Sequence, residues 1–183
     1  MTIIIGWVEN NEAWIGSDSA VTLGYKSLIL PHSKYISFYV GKEKRPFLVG
    51  IAGSLRISQL VESISLPEHN DNPRKFVLKF VEMVRERLKD SGAIIEENSE
   101  QSGDFEMLMV YGNKLFTAHT DFGVMESSDP FAAIGSGQDY AMGVLSALRD
   151  TMSPRDCIHN ALRITSRYDI YCSPPLRMKH ITL

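Results

Sequence analysis

The sequence predicts an α+β fold: a four-layer αββα sandwich of two packed antiparallel sheets covered on their outer faces by helices. Two observations carry this. The hydrophobic pattern runs in blocks of strands, two helices, strands, two helices and a last strand. The segment Phe105–Tyr111 is apolar at alternate positions and also at Leu108 and Val110, so it must lie between two layers. No repeat or long linker divides the 183 residues, so one domain spanning 1–183 is expected.

Each block follows from local chemistry. Thr2–Val8 is rich in β-branched residues, Asn10-Asn11-Glu12 is a polar turn, and Ala13–Ser19 resumes an apolar run, which together read as a hairpin. Short strands follow near Ser27–Leu30, Tyr35–Val40 and Phe47–Ile51, the last after the charged loop Gly41–Arg45. The period then changes. Leu55, Ile57, Leu60, Val61 and Ile64 fit a helix, and Val77, Val81, Val84 and Leu88 mark a clearer one over Pro73–Lys89, with Pro73 in its first turn. Asp90–Gly103 reads as a polar, acidic and mobile loop. Strands return at Phe105–Tyr111, Leu115–Thr120 and Phe131–Ile134. A helix carrying Ala141, Val144, Leu145 and Leu148 follows. Ser153-Pro154 starts another, as cap and first-turn proline, and a short strand near Met178–Leu183 ends the chain.

Composition excludes several classes. The hydrophobic fraction of 44% supports a real core without disulfide staples. A net charge of −3 gives no basic footprint for nucleic acid, and Glu43 interrupts the cluster of Lys42, Lys44 and Arg45. Two cysteines, Cys157 and Cys172, are too few for a disulfide framework and read as buried free thiols. No stretch approaches the apolar length of a membrane span, and the start lacks the pattern of a signal peptide. A cytoplasmic protein is expected. His69, His119, His159 and His180 lack metal-ligand spacing and read as structural.

The chemistry is sought at the start of the chain. Removal of Met1 would leave Thr2 with a hydroxyl and an α-amine on one residue. The amine's ordinary pKa of about 7.7–8.0 leaves a neutral fraction at pH 7, able to serve as base for the hydroxyl. Met-Thr alone is a common start, so the rest of the chain decides.

Thr2-Ile3-Ile4-Ile5, Gly16-Ser17-Asp18-Ser19, Thr22-Leu23-Gly24, Ser33-Lys34, Gly50-Ile51-Ala52-Gly53-Ser54 and Ala133-Ile134-Gly135-Ser136-Gly137 occur in that order. With the stretch Ala161–Ser173, this series resembles the proteasome β-subunit and HslV-type peptidase family of the N-terminal-nucleophile hydrolases, over nearly the whole chain. The intervals from Thr2 to Asp18 and Lys34 match the family without a gap. The resemblance implies one proteasome-like domain and a catalytic set. Thr2 would be the nucleophile, Lys34 would lower its amine's pKa, and Asp18 would orient Lys34. Gly53 would give its N–H to the oxyanion, Ser136 would bond the Thr2 amine, and Asp169 would support the site. From residue chemistry alone, Ser136 also reads as a helix cap. Val21, Thr22, His32, Ile51 and Leu55 would line the pocket for the residue before the cut, favouring apolar or aromatic side chains; His32 could instead bridge to a neighbouring subunit. No cofactor is required. Main-chain carbonyls of Ser166, Asp169 and Cys172 would suit a monovalent or divalent cation.

The family implies a homo-oligomeric ring, an ATPase unfoldase partner and polypeptide substrates. Two departures stand out: Gly41–Pro46 is longer than in HslV-type relatives, and Pro174-Pro175 is inserted before the last strand. There is no long propeptide and no helical N-terminal extension of the proteasome α type. The alternatives are a non-catalytic assembly protein of the same fold that retains Met1, and a small-amide hydrolase or transpeptidase using the same nucleophile.

Overall fold

The computed structural model describes residues 2–97 and 100–183. Strands β1 (Ile4–Glu9) and β2 (Glu12–Ser17) form the expected hairpin, with Asn10 and Asn11 both at positive φ as a tight two-residue turn requires. Then come β3 (Ala20–Leu23), β4 (Lys26–Ile29), β5 (Tyr35–Val40) and β6 (Arg45–Gly53). Helices α1 (Leu55–Glu62) and α2 (Pro73–Asp90) follow. Next are β7 (Ile95–Glu97), β8 (Glu100–Ser102), β9 (Phe105–Tyr111), β10 (Lys114–Ala118), β11 (Val124–Glu126) and β12 (Phe131–Ile134). Helices α3 (Gln138–Leu148) and α4 (Pro154–Tyr168) precede the last strand, β13 (Arg177–Thr182).

Two antiparallel sheets form the centre. One has the order β12-β1-β2-β13 and the other β11-β10-β9-β6-β5. Their side chains sort into three apolar layers. Ile4, Ile15, Leu48, Leu108, Val110 and Ile134 fill the space between the sheets. Phe47, Val49, Met107 and Met109 turn outward onto Phe76, Phe80 and Val84 of α2. Ile5, Trp7 and Phe131 turn outward onto Leu145 of α3 and Ile158 and Leu162 of α4. The αββα sandwich therefore follows from β1 and β9, each apolar on both faces. Gly50 lets the sheets close: a Cβ there would stand 2.6 Å from the Ile4 side chain.

The helices begin as their sequences dictate. Asn72 accepts the Lys75 N–H at 3.2 Å and Ser153 accepts the Asp156 N–H at 3.2 Å, each ahead of a first-turn proline. The acidic segment 90–103 departs from the loop expectation, because β7 pairs with β8 as a small hairpin. Residues 98 and 99 of that segment lie outside the described residues, as does Met1, so its expected removal is not addressed by the fold. Gly41–Lys44 is a tight exposed turn in which the Lys44 N–H reaches the Gly41 carbonyl at 3.2 Å. Arg45 pairs there with Glu43. Both cysteines are free and buried. Among the described residues no helix is long and apolar enough to cross a membrane.

Candidate active site

Antiparallel pairing gathers the cluster. β1 begins opposite the end of both β2 and β12, through Ile4 with Ser17 and Ile4 with Ile134. In the other sheet β5 begins opposite the end of β6, and Phe105 at the start of β9 faces Gly53. These ends surround one cavity of about 810 Å³. Thr2, Lys34, Gly53, Gly135 and Ser136 line it, together with Val21, Thr22, His32, Ile51 and Leu55.

Asp18 is the centre of the cluster and is fully buried. Its Oδ1 accepts the Thr2 hydroxyl at 2.5 Å, the Ile3 N–H at 3.1 Å and the Lys34 ammonium at 2.7 Å. Its Oδ2 accepts the N–H groups of Ala20 at 2.9 Å and Ser173 at 3.2 Å. A buried carboxylate needs such donors to remain charged. They come from the start of the chain, the first residue of β3, the residue before β5 and the segment before β13, so the carboxylate ties four parts of the chain together.

Lys34 donates to Thr2 Oγ1 as well as to Asp18. Its main chain spans the two sheets: its N–H reaches Ser17 Oγ at 3.4 Å, and its carbonyl accepts the Ile51 N–H at 3.1 Å. Burial pushes its pKa below the ordinary lysine value of 10.5, and the charge and hydrogen bond of Asp18 resist that shift in part. The Thr2 hydroxyl thus lies between a carboxylate that accepts its proton in a hydrogen bond and an ammonium that favours the oxygen as it gains negative charge.

The Gly135–Gly137 turn closes the other side. The Gly137 N–H and the Ser136 hydroxyl each lie 3.4 Å from the Thr2 carbonyl. Gly135 has φ +95°, and a Cβ there would stand 2.3 Å from that carbonyl oxygen. Glu106 Oε2 accepts the Gly135 N–H at 2.7 Å. Gly53 has φ +110°, and a Cβ there would stand 2.4 Å from the Asp104 carbonyl.

The Ser136 hydroxyl reaches Asp169 Oδ2 at 2.8 Å and lies 3.4 Å from the Thr2 carbonyl. Its expected bond to the Thr2 amine belongs to the chain freed of Met1, but the helix-cap reading changes. The cap position of α3 falls on Gly137, and no side chain caps it. Asp169 ends α4 and holds the neighbouring turn. Its Oδ1 accepts the Tyr171 N–H at 2.9 Å, and its Oδ2 accepts the Cys172 thiol at 3.3 Å. Burial and the nearby carboxylates of Asp18 and Asp169 push the Cys172 thiol far up, which keeps it protonated.

Among the described residues no group of three or more His, Cys, Asp or Glu side chains is arranged to hold a metal. Around the main-chain carbonyls named for a cation, the Asp169 carbonyl accepts the Cys172 N–H at 3.1 Å, and Ser166 Oγ is buried without a partner. Glu106 is a site-lining residue that sequence reasoning missed. The available signal was a lone acid in an otherwise apolar strand.

No protein-family model matches the chain. It is 29% identical over 190 residues to the ATP-dependent protease subunit HslV of Aquifex aeolicus, covering 98% of this chain and 97% of that protein. It is 26% identical over 180 residues to the subunit of the same name from a Sulfurovum species, covering 97% of this chain and 96% of that one. Among solved structures, Thiobacillus denitrificans BPH in complex with epoxomicin superposes with a TM-score of 0.80 at 18% identity. That match covers 99% of this chain and 98% of that one.

Proposed function

We propose that this chain, which is similar over nearly its whole length to ATP-dependent protease subunits named HslV, is a threonine-type endopeptidase of the proteasome β-subunit and HslV-type family of N-terminal-nucleophile hydrolases, and that its nucleophile is Thr2 after loss of Met1. The observation that carries this is the contact set of one hydroxyl. Thr2 Oγ1 donates to buried Asp18 and accepts from Lys34 at the wall of a large cavity.

Loss of Met1 frees the α-amine of Thr2. The neutral amine takes the hydroxyl proton as Oγ1 attacks the scissile carbonyl. Lys34 stabilises the developing charge on Oγ1, and Asp18 keeps Lys34 charged and aimed. The carbonyl oxygen becomes an oxyanion that rests on the Gly53 N–H. Collapse breaks the C–N bond, the leaving amine takes the proton, and an ester joins the substrate acyl group to Thr2. Water activated by the same amine cleaves the ester and restores the hydroxyl. Ser136 and Asp169 hold the Thr2 carbonyl side of the site through their mutual hydrogen bond.

Val21, Ile51 and Leu55 on the cavity wall support a preference for an apolar or aromatic residue before the cut, with Thr22 and His32 at the same wall. Main-chain carbonyls of Ser166, Asp169 and Cys172 lie at the C-terminal end of α4, where the helix dipole is negative. They would hold a hard cation that stiffens this turn. The relatives' name, ATP-dependent protease subunit, supports action as one subunit of an ATP-dependent assembly; a homo-oligomeric ring, an ATPase unfoldase and a cytoplasmic location are what the family resemblance implies for it.

Thr2→Ala tests the assignment. Cleavage of an apolar fluorogenic peptide by protein freed of Met1 should fall by at least a thousandfold, in the range seen when a covalent nucleophile is removed. Cleavage that survives the substitution would sink the assignment. Intact mass of the native protein separates it from a non-catalytic assembly role, which requires Met1 to be retained. Products formed with an added amine separate hydrolysis from acyl transfer.

A further inference from the structure

Strand β9 sorts its residues cleanly. Phe105, Met107, Met109 and Tyr111 face α2, and Leu108 and Val110 face the opposite sheet. Glu106 heads the inward row, partly buried at the cavity edge. A carboxylate there loses hydration and needs a donor. Among the described residues it has no ion-pair partner. Its donor is the Gly135 N–H, at 2.7 Å from Oε2. Gly135 directly follows β12, which belongs to the other sheet. This charge-assisted bond therefore crosses from one sheet to the other at the mouth of the cavity.

What depends on the bond is Thr2. The turn that Glu106 anchors places the Gly137 N–H and the Ser136 hydroxyl on the Thr2 carbonyl. Gly135 itself packs so closely on that oxygen that no side chain fits. The position of the carbonyl sets the backbone of Thr2 and with it the aim of Oγ1 at Lys34.

We propose that Glu106 is a positioning residue for Thr2: its carboxylate anchors the Gly135–Gly137 turn that fixes the Thr2 carbonyl. This deepens the assignment of Thr2 as nucleophile and rests on it. Glu106 acts through the reach of an acceptor oxygen, and its charge only strengthens the bond. It exchanges no proton and contacts no reacting atom.

Two substitutions separate reach from charge. Glu106→Gln keeps the length and an acceptor but loses the charge. Glu106→Asp keeps the charge and falls one methylene short of Gly135. With Met1-free protein and an apolar fluorogenic peptide, Glu106→Asp should lower kcat on the order of thirtyfold with KM within about twofold, the scale expected of a small misplacement. Glu106→Gln should lower kcat only about threefold. Gly135 amide hydrogen exchange should speed at least about tenfold in the Asp variant and much less in the Gln variant. The reverse order in kcat, or a loss carried by KM in both variants, would overturn the proposal. If the Asp variant does not fold, a thirtyfold loss in the Gln variant alone overturns it. Exchange reads the anchor without activity. Absence of cleavage in the parent protein would therefore count against Thr2 as nucleophile, while unchanged Gly135 exchange in the Asp variant would count against Glu106.

Discussion

Asp18 accepts five hydrogen bonds and touches no solvent, yet only one of its partners is a cation. Lys34 is therefore a structural residue, in addition to the chemical role proposed for it. Lys34→Met would leave a buried carboxylate without its counter-charge, and stability should fall by about 3–5 kcal/mol, measured by denaturant unfolding. The same pair predicts a pH effect. Burial holds the Lys34 pKa below 10.5, so the ammonium that supports Oγ1 is lost earlier on the alkaline side than an ordinary lysine would be. The alkaline limb of kcat should accordingly fall below pH 10.5. Lys34→Arg should remove that limb, because a guanidinium keeps its charge throughout the range. Identical limbs in both proteins would assign the titration to another group. Thr2, Asp18 and Lys34 were legible in the sequence through the family resemblance, whose intervals they keep. Their contact was not, because it depends on two sheets closing on one another. The Ser136 expectation shows the limit: the sequence places the residue at a helix start, but only the fold reveals Asp169 within 2.8 Å of it.

At the scale of elements, the site is made from strand ends and one strained turn. Gly135→Ala would introduce a Cβ at 2.3 Å from the Thr2 carbonyl and would impose an unfavourable φ. Activity should fall on the order of a hundredfold from displacement of Thr2, while circular dichroism stays close to the parent spectrum. Gly143, within α3, meets nothing within 4 Å and is the matched control. Gly143→Ala should leave activity unchanged and gain up to about 1 kcal/mol of stability through helix propensity. The long periodic helices and the β1–β2 hairpin were readable because burial imposes a regular apolar pattern on them. β3, β7, β8 and β11 were not read as strands. They have three or four residues each, and β7, β8 and β11 are largely polar or exposed, so no periodicity had room to develop. Glu106 went unread for a related reason: its apolar neighbours defined the strand, and the acid looked like noise within it.

The whole molecule presents a surface that one chain does not cover. The β3–β4 hairpin holds Leu23, Tyr25, Leu28 and Ile29 exposed, with Tyr25 in the turn itself. Val21, Thr22 and Leu23 of the same hairpin also line the cavity, so the surface and the site are continuous. If the chain acts in a homo-oligomeric ring, this hairpin is an apolar contact available to a second copy. Leu28→Asp with Tyr25→Asp should shift the particle to smaller mass in size-exclusion chromatography with light scattering. An unchanged particle mass would exclude the hairpin from the interface. The layer order of the fold was legible from two strand sets alternating with two helix pairs and from one strand, Phe105–Tyr111, apolar on both faces. The surface contacts were not, because exposed apolar residues in short strands carry no period that separates an interface from a loop.

The central claim is that residue 2 is the nucleophile, and the mass of the N-terminal peptide tests it most directly. Protein freed of Met1 is incubated with epoxomicin, the compound in the Thiobacillus denitrificans BPH complex, then digested and weighed. The predicted result is one covalent adduct on the peptide beginning at Thr2, absent from Thr2→Ala and slowed in Lys34→Met. An unmodified N-terminal peptide from protein that cleaves peptides, or an adduct on another residue, would contradict the claim.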